Sequence, residues 1–314
     1  MIRVGIDEAG YGPLLGPLVI GAAAFRLPDG PGPEIRERLR GIVCRAGGRL
    51  RRDGLPVPVD DSKKIHPRYG VPGLARGVSA LAAAAGRAPP AHLADWLERF
   101  GDRGASAFSD PWYERPEAER LPAWEAPPDL RARFLLRGVE PLGIEVSPVT
   151  PAELNEAFDA TGNKARVLFL ATVALLVRAL ERWPGEDVVA VLDREGGRLD
   201  YAGYLADAFP FQAVVREPSG PGESRYAFRE GGRMVRLVFA TGGDDRDLAT
   251  GLASMAAKMT RELFMGRLNA WFTSRMPGLA PTAGYVEDGR RFLADAAPVL
   301  ASERVDLARF VRSR

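Results

Sequence analysis

The chain has 314 residues, 46% of them hydrophobic and 27% charged, with a formal net charge of +2. These proportions describe an ordinary globular chain and exclude a polycationic nucleic-acid coat. A single cysteine, Cys44, excludes an internal disulfide and a cysteine-rich zinc site, and two distant histidines, His66 and His92, are too few for a histidine metal cluster.

At this length, one core with a large insertion, or two domains, is expected. Met1-Ile2-Arg3 runs straight into the first strand without a signal-peptide pattern. The apolar run Val167 to Val177 falls short of the ~18 residues that span a bilayer and reads as a buried helix. A cytoplasmic protein with no membrane partner is the expectation.

Ile2 to Asp7 and Pro17 to Phe25 read as two strands joined by the glycine-rich turn Gly10–Gly16. Pro33 to Ala46 has a helical pattern closed by Gly47-Gly48, and Cys44 is read as a small buried residue on it. From Pro67 to about Pro141 the chain is rich in Pro, Gly, Ala and Arg. It also carries Trp96, Phe100, Phe108, Trp112, Tyr113 and Trp124, too many aromatics for a disordered linker. Residues 67–141 are therefore read as an inserted subdomain or elaborated loop with its own small core. Residues 1–66 and 142–275 form the framework, and 276–314 a C-terminal helical segment.

Regular alternation resumes near Gly143. Ile144 to Val146 reads as a strand, Pro151 to Phe158 and Lys164 to Trp183 as helices, and Asp187 to Asp193 as a continuous apolar strand covered on both faces. Leu199 to Phe209 is helical in pattern, Phe211 to Arg216 extended, and Arg225–Glu230 with Met234–Ala240 a hairpin around Gly231-Gly232. A long helix follows from Asp247 to about Trp271, then shorter ones over 289–296 and 303–312. Early antiparallel strands followed by βα units predict a mixed sheet with helices on both faces.

The chemistry begins with Val4-Gly5-Ile6-Asp7-Glu8-Ala9-Gly10-Tyr11-Gly12-Pro13. Two carboxylates close a strand and a turn with open backbone amides follows, which suits holding or cutting a phosphodiester. Neighbouring side chains on a strand point to opposite faces, so Asp7 and Glu8 share a site only if the strand ends there or backbone oxygen is also used. Asp193 ends the apolar strand, and Asp244 in Gly242-Gly243-Asp244-Asp245 precedes the long helix. Singly, Asp193 reads equally as a turn residue, and Asp244 or Asp245 as a helix cap. Together they fall where ligands bind in open α/β sheets, beyond the carboxyl ends of strands. Four such acids suit a pair of magnesium ions about 3.5–4 Å apart.

Taken together, Gly5-Ile6-Asp7-Glu8-Ala9-Gly10-x-Gly12-Pro13-x-x-Gly16-Pro17, Asp61-Ser62-Lys63-Lys64, the strand ending at Asp193, Gly243-Asp244 followed by Ala253-Ser254-x-x-Ala257-Lys258-x-Thr260-Arg261, and Gly284-Tyr285 resemble the type 2 ribonucleases H (ribonuclease HII). The resemblance implies a ribonuclease H-like fold and Asp7, Glu8, Asp193 and Asp244 as ligands of magnesium or manganese. It implies hydrolysis of the RNA strand of RNA/DNA hybrids, or of ribonucleotides embedded in duplex DNA, by a monomeric enzyme leaving a 5′-phosphate and a 3′-hydroxyl. Gly10, Tyr11 and Gly12 would present amides to a ribose 2′-hydroxyl, and Tyr285 would stack near the scissile junction. Ser254 and Lys258 share a helix face and, with Lys63 and Lys64, would contact phosphates.

Two departures bear on substrate range. Tyr11 stands where the family turn usually carries arginine, and Thr241-Gly242 where it often has lysine. Neither residues 67–141 nor the hairpin between 217 and 240 belongs to the resemblance. A catalytically lapsed nucleic-acid-binding protein on the same fold, and a branched-DNA nuclease, are the alternative readings.

Overall fold

The computed structural model describes residues 1–30, 32, 34–48, 54–105, 108–195 and 198–313. The strands are β1 (Ile2–Ala9), β2 (Leu18–Arg26), β3 (Val43–Cys44), β4 (Val57–Pro58), β5 (Glu140–Val149), β6 (Val188–Asp193), β7 (Val215–Glu217), β8 (Glu223–Glu230) and β9 (Arg233–Ala240). The helices are α1 (Ile35–Arg38), α2 (Ser62–Ala84), α3 (Leu93–Phe100), α4 (Leu130–Leu135), α5 (Pro151–Thr161), α6 (Lys164–Arg182), α7 (Ala202–Ala208), α8 (Gly243–Arg246), α9 (Leu248–Arg275), α10 (Val286–Asp295), α11 (Ala297–Ser302) and α12 (Leu307–Phe310). None of them is long and apolar enough to cross a membrane.

Seven strands form one sheet in the order β5-β2-β1-β6-β9-β8-β7, and β3 with β4 makes a separate parallel pair. β2 is antiparallel to both β1 and β5, while β6 runs parallel to both β1 and β9. β8 and β7 extend the sheet by antiparallel pairing. This is the mixed sheet that the element order predicts, with helices on both faces.

The two faces follow from the period-2 alternation of strands. Ile2, Val4 and Ile6 of β1 pack with Leu168, Phe169 and Leu176 of α6 and Leu205 of α7. Gly5, between them, faces α9, where a Cβ would lie 2.0 Å from the Thr250 nitrogen. Glycine thus lets the helix axis approach the strand to backbone contact. α9 begins under an Asp247 cap, whose carboxylate accepts from Thr250 N–H at 3.0 Å. α6 begins at Asn163, which accepts from Arg166 N–H at 3.1 Å.

Several boundaries differ from the sequence reading. β1 continues through Ala9 instead of ending at Asp7. The segment read as one helix over 33–46 is α1 followed by β3, with Cys44 half-buried on that strand; Pro33 lies outside the described residues. The β-branched pair Ile42-Val43 favours extended backbone there. Of the extended segment over 211–216, Val215 and Arg216 enter a three-residue edge strand, and Phe211 stands 95% exposed.

Residues 67–141 do not close a core of their own. α2 runs across the anticipated boundary after residue 66, kinked at Gly70. Trp96 donates from Nε1 to Thr260 Oγ1 of α9 at 2.8 Å. Phe108 and Tyr113 stack edge-on against Phe264, and Trp112 against Phe310. One continuous apolar cluster joins these aromatics to α9 and to the α9 face of the sheet.

Candidate active site

Register brings the acids together at one rim of the sheet. In the parallel pairing of β1 with β6, Ile6 lies opposite Leu192, so Asp7 and Asp193 come next on neighbouring strands. Parallel neighbours stand about 4.8 Å apart. Val188, Ala190 and Leu192 of β6 pack in the α6-side cluster, which leaves Val191, and by alternation Asp193, on the α9 face with Asp7; the Val191 carbonyl accepts from the Thr250 hydroxyl of α9 at 3.2 Å. β9 pairs with β6 through Asp193↔Ala240, and four residues later Asp244 lies in α8, just ahead of α9. Three of the acids therefore gather at the same end of three adjacent parallel strands: Asp7 near the end of β1, Asp193 closing β6 and Asp244 just beyond β9. Asp193 is held by the Gly243 N–H, which donates to its Oδ1 at 3.0 Å.

Glu8 departs from this pattern. Because β1 continues past it, its side chain starts from the face opposite Asp7. Its own N–H donates to Asp7 Oδ1 at 2.8 Å. The Glu8 carboxyl still senses the rim: burial raises its pKa first and the Asp193 charge next, against Lys63.

The other acids carry the same signature of like charges in a desolvated place. Burial lifts the Asp7 carboxyl well above its ordinary value, and the charges of Glu8, Asp193 and Asp244 add to that while the Ser254 hydroxyl opposes it. Asp244 is pushed up to about 7 by burial, then by the charges of Asp61 and Asp193. Its Oδ2 is buried and has no hydrogen-bond partner. Burial draws the Lys63 ammonium down, but Asp61, Asp244, Asp7 and Asp193 outweigh it and hold it above its usual range.

These carboxylates share an electrostatic environment, not a finished coordination sphere. Among the described residues, no group of three or more Asp, Glu, His or Cys side chains is arranged to hold a metal ion as it stands. The donor chemistry nevertheless fits a hard divalent cation: all oxygen, strongly anionic, and including the partnerless buried oxygen of Asp244.

The remaining sequence candidates fall around this rim. Gly10 has φ +89°, and a Cβ there would meet the Arg261 side chain at 2.6 Å and the Pro17 carbonyl at 2.8 Å, so the turn needs glycine at that point. Gly12 is exposed with open space beside it. Tyr11 is half-buried, with the Lys164 ammonium 5.0 Å from its ring centre. Tyr285 is 52% exposed, and the Arg261 guanidinium lies 5.7 Å from its ring centre. The carbonyl of Gly284 accepts from the N–H groups of Leu14 and Leu15, tying the Tyr285 loop to the glycine turn.

The basic candidates are more engaged than the sequence reading supposed. Asp61 caps α2, accepting from Lys63 N–H at 2.8 Å. Lys64 bonds Asp245 and lies 3.8 Å from Asp60. Lys258 bonds Glu262 at 2.6 Å. Ser254 is buried and shares a 2.9 Å hydrogen bond with the Ser62 hydroxyl, and its own hydroxyl draws the Asp7 carboxyl down, so it faces the acids rather than solvent.

Two acids beyond the anticipated quartet belong to this neighbourhood. Asp61 is the largest charge influence on Asp244. Glu195, two residues past Asp193, is buried and accepts from the Thr172 hydroxyl at 3.1 Å. Burial and then the Glu8 charge push its carboxyl up to about 8. Its place directly after the apolar strand was the available signal.

No family model matches the chain, and no curated protein matches it either. Among solved structures, it is similar to ribonuclease HII of Archaeoglobus fulgidus in its complex with PCNA, at 16% identity over 100% of this chain and 95% of that one, with a TM-score of 0.44. It is similar to ribonuclease H2 of Pyrococcus horikoshii at 15% identity over 99% and 92% of the two chains, TM-score 0.43. Ribonuclease H3 of Aquifex aeolicus is similar at 13% identity over 99% and 71%, TM-score 0.37. No residue's role follows from likeness at these levels.

Proposed function

We propose that the chain is a metal-dependent endonuclease of the ribonuclease H type, cleaving RNA in an RNA/DNA hybrid or at a ribonucleotide embedded in duplex DNA. The observation that carries this reading is the gathering of Asp7, Asp193 and Asp244 at one end of adjacent parallel strands, within reach of the Glu8 charge. Raised carboxyl pKa values mark acids crowded together without enough positive charge among them. Asp7, Glu8, Asp193 and Asp244 would hold magnesium or manganese after side-chain rotation, since they are not arranged for it as they stand.

The bound ions would supply an activated water and stabilise the leaving oxygen. The chain's own residues do the rest. Ser254 steadies Asp7, and the Gly243 N–H fixes one oxygen of Asp193. The exposed Lys63 offers a positive charge beside the acids for a substrate phosphate. The Gly10–Gly12 turn supplies amide donors for a ribose 2′-hydroxyl, and Tyr285 an exposed ring for stacking.

The test is cleavage of an RNA/DNA hybrid, and of a duplex holding one ribonucleotide, with magnesium and with manganese. Activity abolished in an equally folded Asp7→Asn variant is the expected result. Wild-type protein that cuts neither substrate overturns the reading. A nucleic-acid-binding protein without turnover is the second reading, favoured by Tyr11 and Thr241-Gly242 standing where basic residues are usual and by the insertion over 67–141. Magnesium titration separates the two, because such a binder has no need of two ions.

A further inference from the structure

The glycine turn is built around a side chain almost three hundred residues away. Arg312 is 5% exposed. Its Nε donates to the Gly16 carbonyl at 2.8 Å, Nη2 donates to that same oxygen, and Nη1 donates to the Gly10 carbonyl. Its backbone N–H donates to Leu14 at 3.0 Å, and Val311 bridges Leu15. Asn155 of α5 locks the same segment, donating to the carbonyls of Ala308 and Val311 and accepting from Ser313 N–H at 2.6 Å.

Among the described residues Arg312 pairs with no carboxylate. Beside it lies Arg261, 1% exposed, which donates to the Leu15 and Ala283 carbonyls; its Nε and Nη1 make no hydrogen bond, and Nη1 lies 3.9 Å from the Glu262 carboxylate. Burial and the Arg261 charge lower the Arg312 guanidinium to about 9. Two cations thus sit below a turn whose carbonyls they draw inward. In a planar trans peptide the C=O and the following N–H point in opposite directions. A Gly10 carbonyl tied to Arg312 therefore turns the Tyr11 N–H away from it, towards the open side of the turn.

We propose that Arg312 is a positioning residue for substrate recognition, holding the Tyr11 N–H outward as a donor to a ribose 2′-hydroxyl of the RNA strand. This rests on the ribonuclease H reading above. It also explains how the turn can do without a basic side chain at position 11: the contact is made by backbone, and the positive charge lies underneath.

The test compares wild type, Arg312→Met and Arg312→Lys in EDTA, by fluorescence anisotropy with an RNA/DNA hybrid and a DNA duplex of the same sequence. Thermal unfolding and amide exchange over residues 10–16 are read on the same proteins. Wild type should prefer the hybrid. Arg312→Met should lose about tenfold in hybrid affinity, the scale of one hydrogen bond, with DNA affinity unchanged. Arg312→Lys keeps the charge but not the fork, so it should lose the preference too, with faster exchange confined to the turn. If the methionine variant does not fold, the lysine variant decides by those two readouts. A preference retained in the folded variants overturns the role of Arg312 and leaves the nuclease reading standing. Wild type with no preference overturns the ribonuclease reading, and this inference with it.

Discussion

Crowded carboxylates should make the metal-free protein less stable than it need be, and Asp244→Asn isolates that cost. The Asp244 carboxyl is pushed from 3.8 to about 7 by burial and by Asp61 and Asp193. A folded-state pKa above the unfolded one means that the folded protein keeps its proton while the unfolded chain has already released it. Stability is therefore intact below about pH 4, declines as pH rises, and the full loss is reached above about pH 7. Three units correspond to a ceiling of about 4 kcal/mol, of which Asp61 shares a part through its hydrogen bond. Asparagine removes the charge, and its amide can donate to Asp61 where the carboxylate repelled it. Urea unfolding in EDTA should find the variant more stable by roughly 2–4 kcal/mol at pH 8, and by less than about 1 kcal/mol at pH 4.5. Magnesium should narrow the gap at pH 8 by stabilising wild type alone. A gap of equal size at both pH values, or a variant less stable at pH 8, would refute the electrostatic account of this rim.

Three further perturbations test the framework beneath it. Gly5→Ala drives a methyl into the backbone of α9, 2.0 Å from the Thr250 nitrogen, and should cost about 3 kcal/mol in urea unfolding because neither backbone can rotate away. Trp96→Phe removes the 2.8 Å bond to Thr260 and part of a fully buried ring; a loss of about 2 kcal/mol, read from the denaturation midpoint, is expected. Asp247→Ala removes the α9 cap and the 2.8 Å ion pair with Arg3. It should cost about 2 kcal/mol, and the double variant with Arg3→Met should lose less than the sum of the two single losses.

The acid rim was legible in the sequence because it is written in local patterns. An apolar run that stops at Asp193, and a Gly-Asp pair ahead of a long helix, each announce the end of an element, and parallel strands deliver their ends to one edge. Glu8 was legible as an acid but not as a side chain on the other face, since that depended on where β1 stopped pairing with β2. The parts that escaped are set by distant partners. The aromatics of residues 67–141 declared that a core existed; nothing local said that its other half was α9, some 150 residues on, through Thr260 and Phe264. Arg312 reads as one more arginine in a short C-terminal helix until its partner proves to be the glycine turn.

The four lysines stand in surroundings that the sequence did not show. They stand out because the chain otherwise uses arginine, and phosphate contact was the expectation for Lys63, Lys64 and Lys258. In the free protein Lys64 and Lys258 face Asp245 and Glu262, Lys63 stands among four acids, and Lys164 lies over Tyr11 beside the glycine turn. An ammonium is a compact, strongly hydrated point charge on a flexible stem, whereas a guanidinium binds a carboxylate in a rigid fork. If these acids hold ions and meet phosphates as proposed, the weaker and more mobile counter-charge would leave the carboxylates free to turn.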